Sequence, residues 1–337
     1  MNEVLISKEE MQKVLKAVFL KYSFSETQAL TLAKIHTEST LDGITSHGIN
    51  RVSVFIDYVR RGLINISASP TKIAEMGSME RWDGNLGSGV LNALSATNGA
   101  ISLAKEHGMG LVALRNTNHW MRGGTYGWQA AEQDCIAIMF TNTTPNMPAW
   151  GGKHNRLGNN PLVIAIPRKE GHVVLDMALS QFSFGKMENL HLKNELLPFE
   201  GGWDKNDHLS KKPKDIIDSG RAIPVGYWKG SALSMILDML ATLLSAGNST
   251  YKIGEKESET AISQVFLCID PNRFSDRDLQ EKLINEIIAY TQDVDPIKKG
   301  DATYYPGERT MATRIKNKNE GMMVSSKIWN EVLALAR

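Results

Sequence analysis

The sequence predicts an α/β fold, with a sheet-containing centre flanked at both chain ends by helices. Three observations carry that expectation. Apolar residues recur with the helical period near the start, at Met11, Val14, Leu15, Val18 and Phe19. Helical patterns return after about residue 275. Between these ends, short β-type apolar runs alternate with helical stretches, which is the pattern of a layered domain.

Taken in order, residues 8–21 form the first helix, with Ser7 as a plausible N-cap. Ser25-Glu26-Thr27-Gln28 opens a second in the manner of a capping box, running to about Leu41. A third spans residues 50–61 and stops at Gly62. After Pro70 the character changes. Residues 71–76 and 79–82 read as two short strands across a Gly-Ser turn, and a long helix over 88–107 ends at Gly108. Strands follow at 110–115, 135–141, 162–166, 172–177 and 263–269, with a helix at 125–133. Residues 186–225 are polar and poor in β pattern, and read as a long loop-rich excursion over the site or a partner subunit. The apolar window 231–246 reads as a core helix, and further helices are expected at 278–291, 307–319 and 325–336. This divides the chain into a helical segment, 1–70, an α/β catalytic unit, 71–275, and C-terminal helices, 276–337, that pack with the first segment as one cap.

Composition bounds the partners. A net charge of +1 gives no reason to expect nucleic acid, a membrane surface or an acidic partner. The most apolar window contains Asp238 and is too short to span a bilayer, and the N-terminus has no signal-peptide pattern. Cys135 and Cys268 lie in apolar runs, as buried free thiols of a reduced, cytoplasmic protein would.

The motifs narrow the chemistry. Gly84, Gly87 and Gly89 have the dinucleotide spacing reversed, so no Rossmann unit is supported. The phosphate-loop, zinc-hydrolase and serine-esterase motifs are absent, and no metal site is expected. Ser46-His-Gly-Ile-Asn-Arg51 sets an imidazole four positions before a guanidinium. If a helix starts near Gly48, the two share one side. Histidine moves protons in either direction near neutrality, and arginine's forked donors match a carboxylate. A surface histidine beside a solvated arginine is the plain alternative. His119 follows a strand in a glycine-containing loop, where α/β proteins place ligand contacts, though loop histidines are often structural. Gly226 to Ser231 opens a helix whose N–H groups, with Lys229, suit a phosphate or pyrophosphate, or simply cap a core helix. Asp176 ends an apolar strand, where its carboxylate would bond backbone or a ribose hydroxyl. Glu308 suits helix capping, and Asn142 and Asn160 suit turns, or else polar contacts to a ligand.

Together these motifs resemble one family, the type 2 malate/L-lactate dehydrogenases of the NAD(P)-dependent oxidoreductases. The likeness runs nearly the full length. It rests on Ser46 to Arg51, on Gly110-Leu-Val-Ala-Leu-Arg-Asn-Thr-Asn-His-Trp120, on Leu157-Gly-Asn-Asn-Pro-Leu162, on Leu175-Asp-Met-Ala178 and on Tyr305-Pro-Gly-Glu308. The stretches 119–132 and 224–231 are more similar to its sugar-keto-acid branch than to its malate, sulfolactate or ureidoglycolate branches. The resemblance implies a non-Rossmann nicotinamide-binding fold in a homodimer with its site near the subunit interface. It implies NADH along His172, Val173, Val174, Leu175, Asp176, Met177 and Ala178, with contacts from Trp228 and Lys229 and closure by Gly307, Glu308 and Arg309. That branch carries Gly-His-Glu at the last three positions, so this chain departs from it there. The implied reaction reduces a keto acid, with His47 giving the proton, Arg51 holding the carboxylate and His119 bonding the second carbonyl or relaying the proton. Lactate, malate or ureidoglycolate chemistry stays open, as does a non-catalytic role in binding a dinucleotide or sugar acid.

Overall fold

A computed structural model of the chain describes residues 3–337. Its centre is a seven-stranded mixed sheet. In spatial order the strands are Thr71–Met76, Met79–Asp83, Met109–Thr117, Ile262–Ile269, Ile136–Thr141, Leu162–Ile166 and Val173–Met177. Met79–Asp83 and Met109–Thr117 run parallel, joined by the crossover helix Gly89–His107, and every other neighbouring pair is antiparallel. The α/β expectation holds, with antiparallel pairing, much of it between strands distant in sequence, supplying most of the sheet.

Period-two alternation builds two layers on this sheet. Val112 and Leu114, Ala137 and Met139, and Phe266 and Cys268 face the helices Gly89–His107 and Gly124–Ala131. Ala113, Phe140 and Val265 face the opposite way, against Leu237 and Ala241 of the helix Trp228–Ser245. That last helix departs from the core reading. Its inner stripe, Gly230, Ser234, Leu237, Ala241 and Ser245, is buried, whereas Leu233, Met235, Ile236, Met239, Leu240 and Leu243 are exposed.

The two chain ends share a core. Met11, Leu15, Val18 and Phe19 of the helix Lys8–Lys21 pack in one cluster with Leu32, Phe55, Ile56, Met322, Val324, Trp329 and Val332. Strand Glu3–Ile6 pairs antiparallel with Met322–Ser325, two short strands that the periodicity did not announce. Ser7 caps the first helix and Ser25 closes the expected capping box on Glu26–Leu41. The excursion at 186–225 is more ordered than its composition suggested. It carries the helices Phe184–Leu192 and Pro213–Ser219 around a small core of Phe182, Met187, Leu197, Ile216 and Ala222. No helix among the described residues is long and apolar enough to cross a membrane.

Candidate active site

The segment from His47 to Arg51 is not the start of an α-helix. It forms two 3-10 turns, Thr45–His47 and Ile49–Arg51, hinged at Gly48, and the α-helix Val52–Arg60 begins only afterwards. The buried helix Glu26–Leu41 holds these turns in place. Thr40 Oγ1 accepts from Ile49 N at 2.9 Å and donates to the His36 carbonyl at 2.9 Å. His36 Nδ1 donates to the Gly48 carbonyl at 3.3 Å, and burial lowers the His36 pKa to about 4. The approach is so close that a β-carbon on Gly48 would lie 2.3 Å from Thr40 Oγ1.

His119 arrives from the loop after the Met109–Thr117 strand. Its Nδ1 accepts the backbone N–H of Met121 at 2.9 Å. A backbone amide only donates, so the neutral ring carries its proton on Nε2. The His119 and His47 rings stack, 5.8 Å between centroids and 22° between planes. Burial, then the Arg51 charge, then His47 push the His119 pKa well below the ordinary range. His47, whose Nδ1 lies 3.0 Å from Ser46 Oγ, is also lowered, chiefly by burial. There the Asp176 carboxylate opposes the shift, while Arg51 and Arg122 add to it.

Arg51 and His119 line one cavity together with Phe55, Tyr58, Asn118 and Glu259. The Arg51 guanidinium has no hydrogen-bond or ion-pair partner among the described residues. A guanidinium with its donors open, beside two proton-handling rings and with the Glu259 carboxyl within reach of its charge, suits an anionic substrate.

Asp176 belongs to this group as well as to its strand. Its Oδ2 accepts from Gly124 N at 2.8 Å and lies 3.8 Å from Arg122 Nε. Arg122 is buried and also bonds Asp42 Oδ2. Asp42 in turn takes a two-point contact from Arg314, at 2.6 and 2.7 Å. Asp42, Arg122 and Arg314 were missed in the sequence because they meet from three distant segments; Arg122 was inside a quoted motif, but nothing in its spacing pointed to a carboxylate partner.

The other residues picked from sequence lie on or beside one edge strand. Val173–Met177 is the edge strand of the sheet, and Val174 N donates to the Pro306 carbonyl at 2.9 Å. Gly307, at φ +98°, lies against it, so that a β-carbon there would meet the His172 carbonyl at 3.1 Å. Beyond the strand, Leu179 accepts from Val225 N at 2.8 Å, and the helix bearing Trp228 and Lys229 starts just after. Lys229 Nζ sits over the exposed Trp228 ring at 5.9 Å. Glu308 does not cap its helix, which has no side-chain cap bond; it ties back to the preceding turn, accepting from Tyr305 N at 3.0 Å, and Arg309 lies over the Tyr304 ring. Asn142 and Asn160 are buried structural bridges, to Asp238 and Asn248 and to Thr143 and Ser234 respectively.

Comparison with known proteins decides the family. The family model described as malate/L-lactate dehydrogenase matches residues 6–333. The chain belongs to the malate/L-lactate dehydrogenase family. It is 38% identical over 328 residues to a 2,3-diketo-L-gulonate reductase of Escherichia coli, covering 97% of this chain and 98% of that one. The match to a 2,3-diketo-L-gulonate reductase of Mannheimia succiniciproducens is also 38%, over 331 residues, covering 98% and 99%. Among solved structures, malate dehydrogenase from Entamoeba histolytica superposes with a TM-score of 0.94 at 27% identity, covering 99% of this chain and 98% of that one. Sulfolactate dehydrogenase from Methanocaldococcus jannaschii gives 0.87 at 28%, covering 98% and 96%.

This malate/L-lactate dehydrogenase family member is therefore an oxidoreductase acting on CH–OH groups, and its family implies a nicotinamide cofactor. The edge strand suits that group. Backbone direction alternates along a strand, so Asp176 presents its N–H and C=O on the same outer side as Val174. A carboxamide, one donor and one acceptor, complements such an edge.

Proposed function

We propose that the chain reduces 2,3-diketo-L-gulonate to 3-keto-L-gulonate with NADH, His47 supplying the proton. The observation that carries this reading is the His47–His119 stack beside the unpaired Arg51. Arg51 holds the substrate carboxylate and so turns binding energy into orientation. His119, fixed with its proton on Nε2, donates a hydrogen bond to a substrate carbonyl. His47, facing the Asp176 carboxylate, protonates the oxygen that gains negative charge. NADH, when bound, supplies the hydride. The backbone of residues 172–178 would hold it, with Trp228 and Lys229 towards one end and Gly307, Glu308 and Arg309 towards the other; the contacts of Val174 with Pro306 and of Leu179 with Val225 support that placement.

In this reading the frame is a nicotinamide-binding fold distinct from the Rossmann type, with residues 1–70 and 276–337 acting as one cap over 71–275. The core shared by the chain ends supports the cap. The exposed apolar stripe on Trp228–Ser245 supports a homodimer, and the two buried free thiols suit a cytoplasmic setting. The test is loss of NADH absorbance with 2,3-diketo-L-gulonate, run beside pyruvate and oxaloacetate and repeated with NADPH. Turnover of the diketo acid above the others supports the proposal; preference for another keto acid overturns the substrate and leaves the mechanism.

A further inference from the structure

The cavity holding Arg51 and His119 has a second wall that the proton transfer does not use, made by Asn118 and Glu259. Asn118 is 2% exposed. Its Nδ2 donates toward three carbonyls, those of Leu63, Leu86 and Gly87, at 3.3, 2.9 and 2.9 Å. Carbonyls only accept, so the amide orientation is fixed and Oδ1 is the remaining atom. That oxygen is buried and has no hydrogen-bond partner. Glu259 Oε2 accepts from Thr144 N at 2.9 Å; burial raises its pKa, while this hydrogen bond and the Arg51 charge favour its ionised, accepting form.

The cavity therefore sets the Arg51 guanidinium, whose charge acts on Glu259, against two acceptor groups, one of them the unpaired Asn118 Oδ1. The Asn118 oxygen is buried and lacks a donor, so a fitting occupant brings one of its own. A hydroxylated chain does so, whereas a second carboxylate brings only acceptors and a charge that repels Glu259. We infer that Asn118 and Glu259 form an acceptor wall that selects hydroxyl-bearing keto acids over dicarboxylic ones. The inference rests on the proposed reading of the site as a keto-acid reductase and adds the residues that choose the substrate.

The experiment compares wild type with Glu259→Gln and Glu259→Ala, measuring kcat/KM for 2,3-diketo-L-gulonate and for oxaloacetate with NADH. Glutamine keeps an oxygen for Thr144 N–H while removing the charge. The expected result is a fall in the ratio of diketo acid to oxaloacetate of roughly tenfold, the size of one lost charged hydrogen bond, carried by opposite changes in KM. Thermal unfolding of each variant separates this from misfolding, because a folding defect lowers both substrates together. An unchanged ratio in both folded variants overturns the inference. If wild type rejects the diketo acid but reduces another hydroxylated keto acid, the assigned substrate falls, and the same ratio measured with that acid decides the inference. Wild type that prefers oxaloacetate to every hydroxylated acid, or reduces no keto acid at all, overturns it outright.

Discussion

His47 and His119 stack at 5.8 Å, yet their hydrogen bonds give them different proton chemistry. Met121 N–H points at Nδ1 of His119, so a second proton on that ring would set one N–H against another. His119 is thereby kept as a neutral donor. His47 has Ser46 Oγ at its Nδ1 and a carboxylate that favours its charged form. Replacing His47 with Ala should lower kcat by roughly 10²–10⁴-fold, the usual worth of a general acid. His119→Gln, which retains an N–H donor, should cost about tenfold and appear mainly in KM. Steady-state kinetics on both variants decide the assignment; equal losses in kcat would reverse or merge the roles.

The pH dependence has a definite sign. In the proposed mechanism reduction needs protonated His47, and burial lowers its pKa below 6.5. Reductive kcat/KM should therefore be highest on the acid side and fall as pH rises through that lowered value, while oxidation of the hydroxy acid rises across the same limb. Asp176 is the group opposing the shift. In Asp176→Asn the limb should move to still lower pH, and profiles in both directions would show it. A limb that stays in place or moves up removes Asp176 from this role.

Much of this was legible in the chain. Ser7, Ser25 and Gly108 marked helix ends where the structure has them, because caps are local chemistry. His47 and Arg51, chosen from one motif, and His119, chosen from another, lie together. What stayed hidden depends on long-range contact. Asp176 was read only as a cofactor-strand residue, since its nearness to His47 spans more than a hundred residues of sequence. Glu3–Ile6 and Met322–Ser325 are four residues each and pair only with one another, too short for a period to register. The outward stripe of Trp228–Ser245 looked like core because apolar content does not say which face is covered.

Gly48 tests how tightly the turns must sit. Gly48→Ala would press a methyl on Thr40 Oγ1 and on the His36 carbonyl, at 2.3 and 2.9 Å. These groups are buried and hydrogen-bonded, so the turns must give way instead, and both His47 and Arg51 ride on them. The expected outcome is a loss of roughly 10²-fold in kcat/KM, as misplacement of reacting groups produces. The rings should also separate, which a crystal structure of the variant would show. Full activity in Gly48→Ala would mean that the loop adapts without cost.

His36 gives stability its own acid limb. Its pKa in the folded chain is lowered from 6.5 to about 4, so the unfolded chain binds more protons between those values. Stability must then rise with pH through that window and be lost as pH falls from about 6.5. His119, also lowered by burial, acts in the same direction. Thermal unfolding followed from neutral to mildly acid pH should show a falling Tm, reduced in slope by His36→Phe. A Tm that does not change over this range would contradict the buried, neutral state of both rings.

Asp42 connects the three parts of the chain that frame the site. It caps the end of Glu26–Leu41, bonds Arg122 from the loop after His119, and bonds Arg314 from the helix Glu308–Glu320. Removing one member of a buried ion-pair network leaves charges without compensation, at about 3–5 kcal/mol. Asp42→Asn should therefore lower Tm strongly. Arg122, released from one carboxylate, would also hold Asp176 less firmly, so kcat should fall in whatever fraction remains folded. Pairing Asp42→Asn with Arg122→Met removes one stranded charge and should recover part of the stability without recovering kcat. A double variant no more stable than the single one would show that Arg314, whose guanidinium also lies 4.7 Å from the Trp128 ring, carries most of the cost.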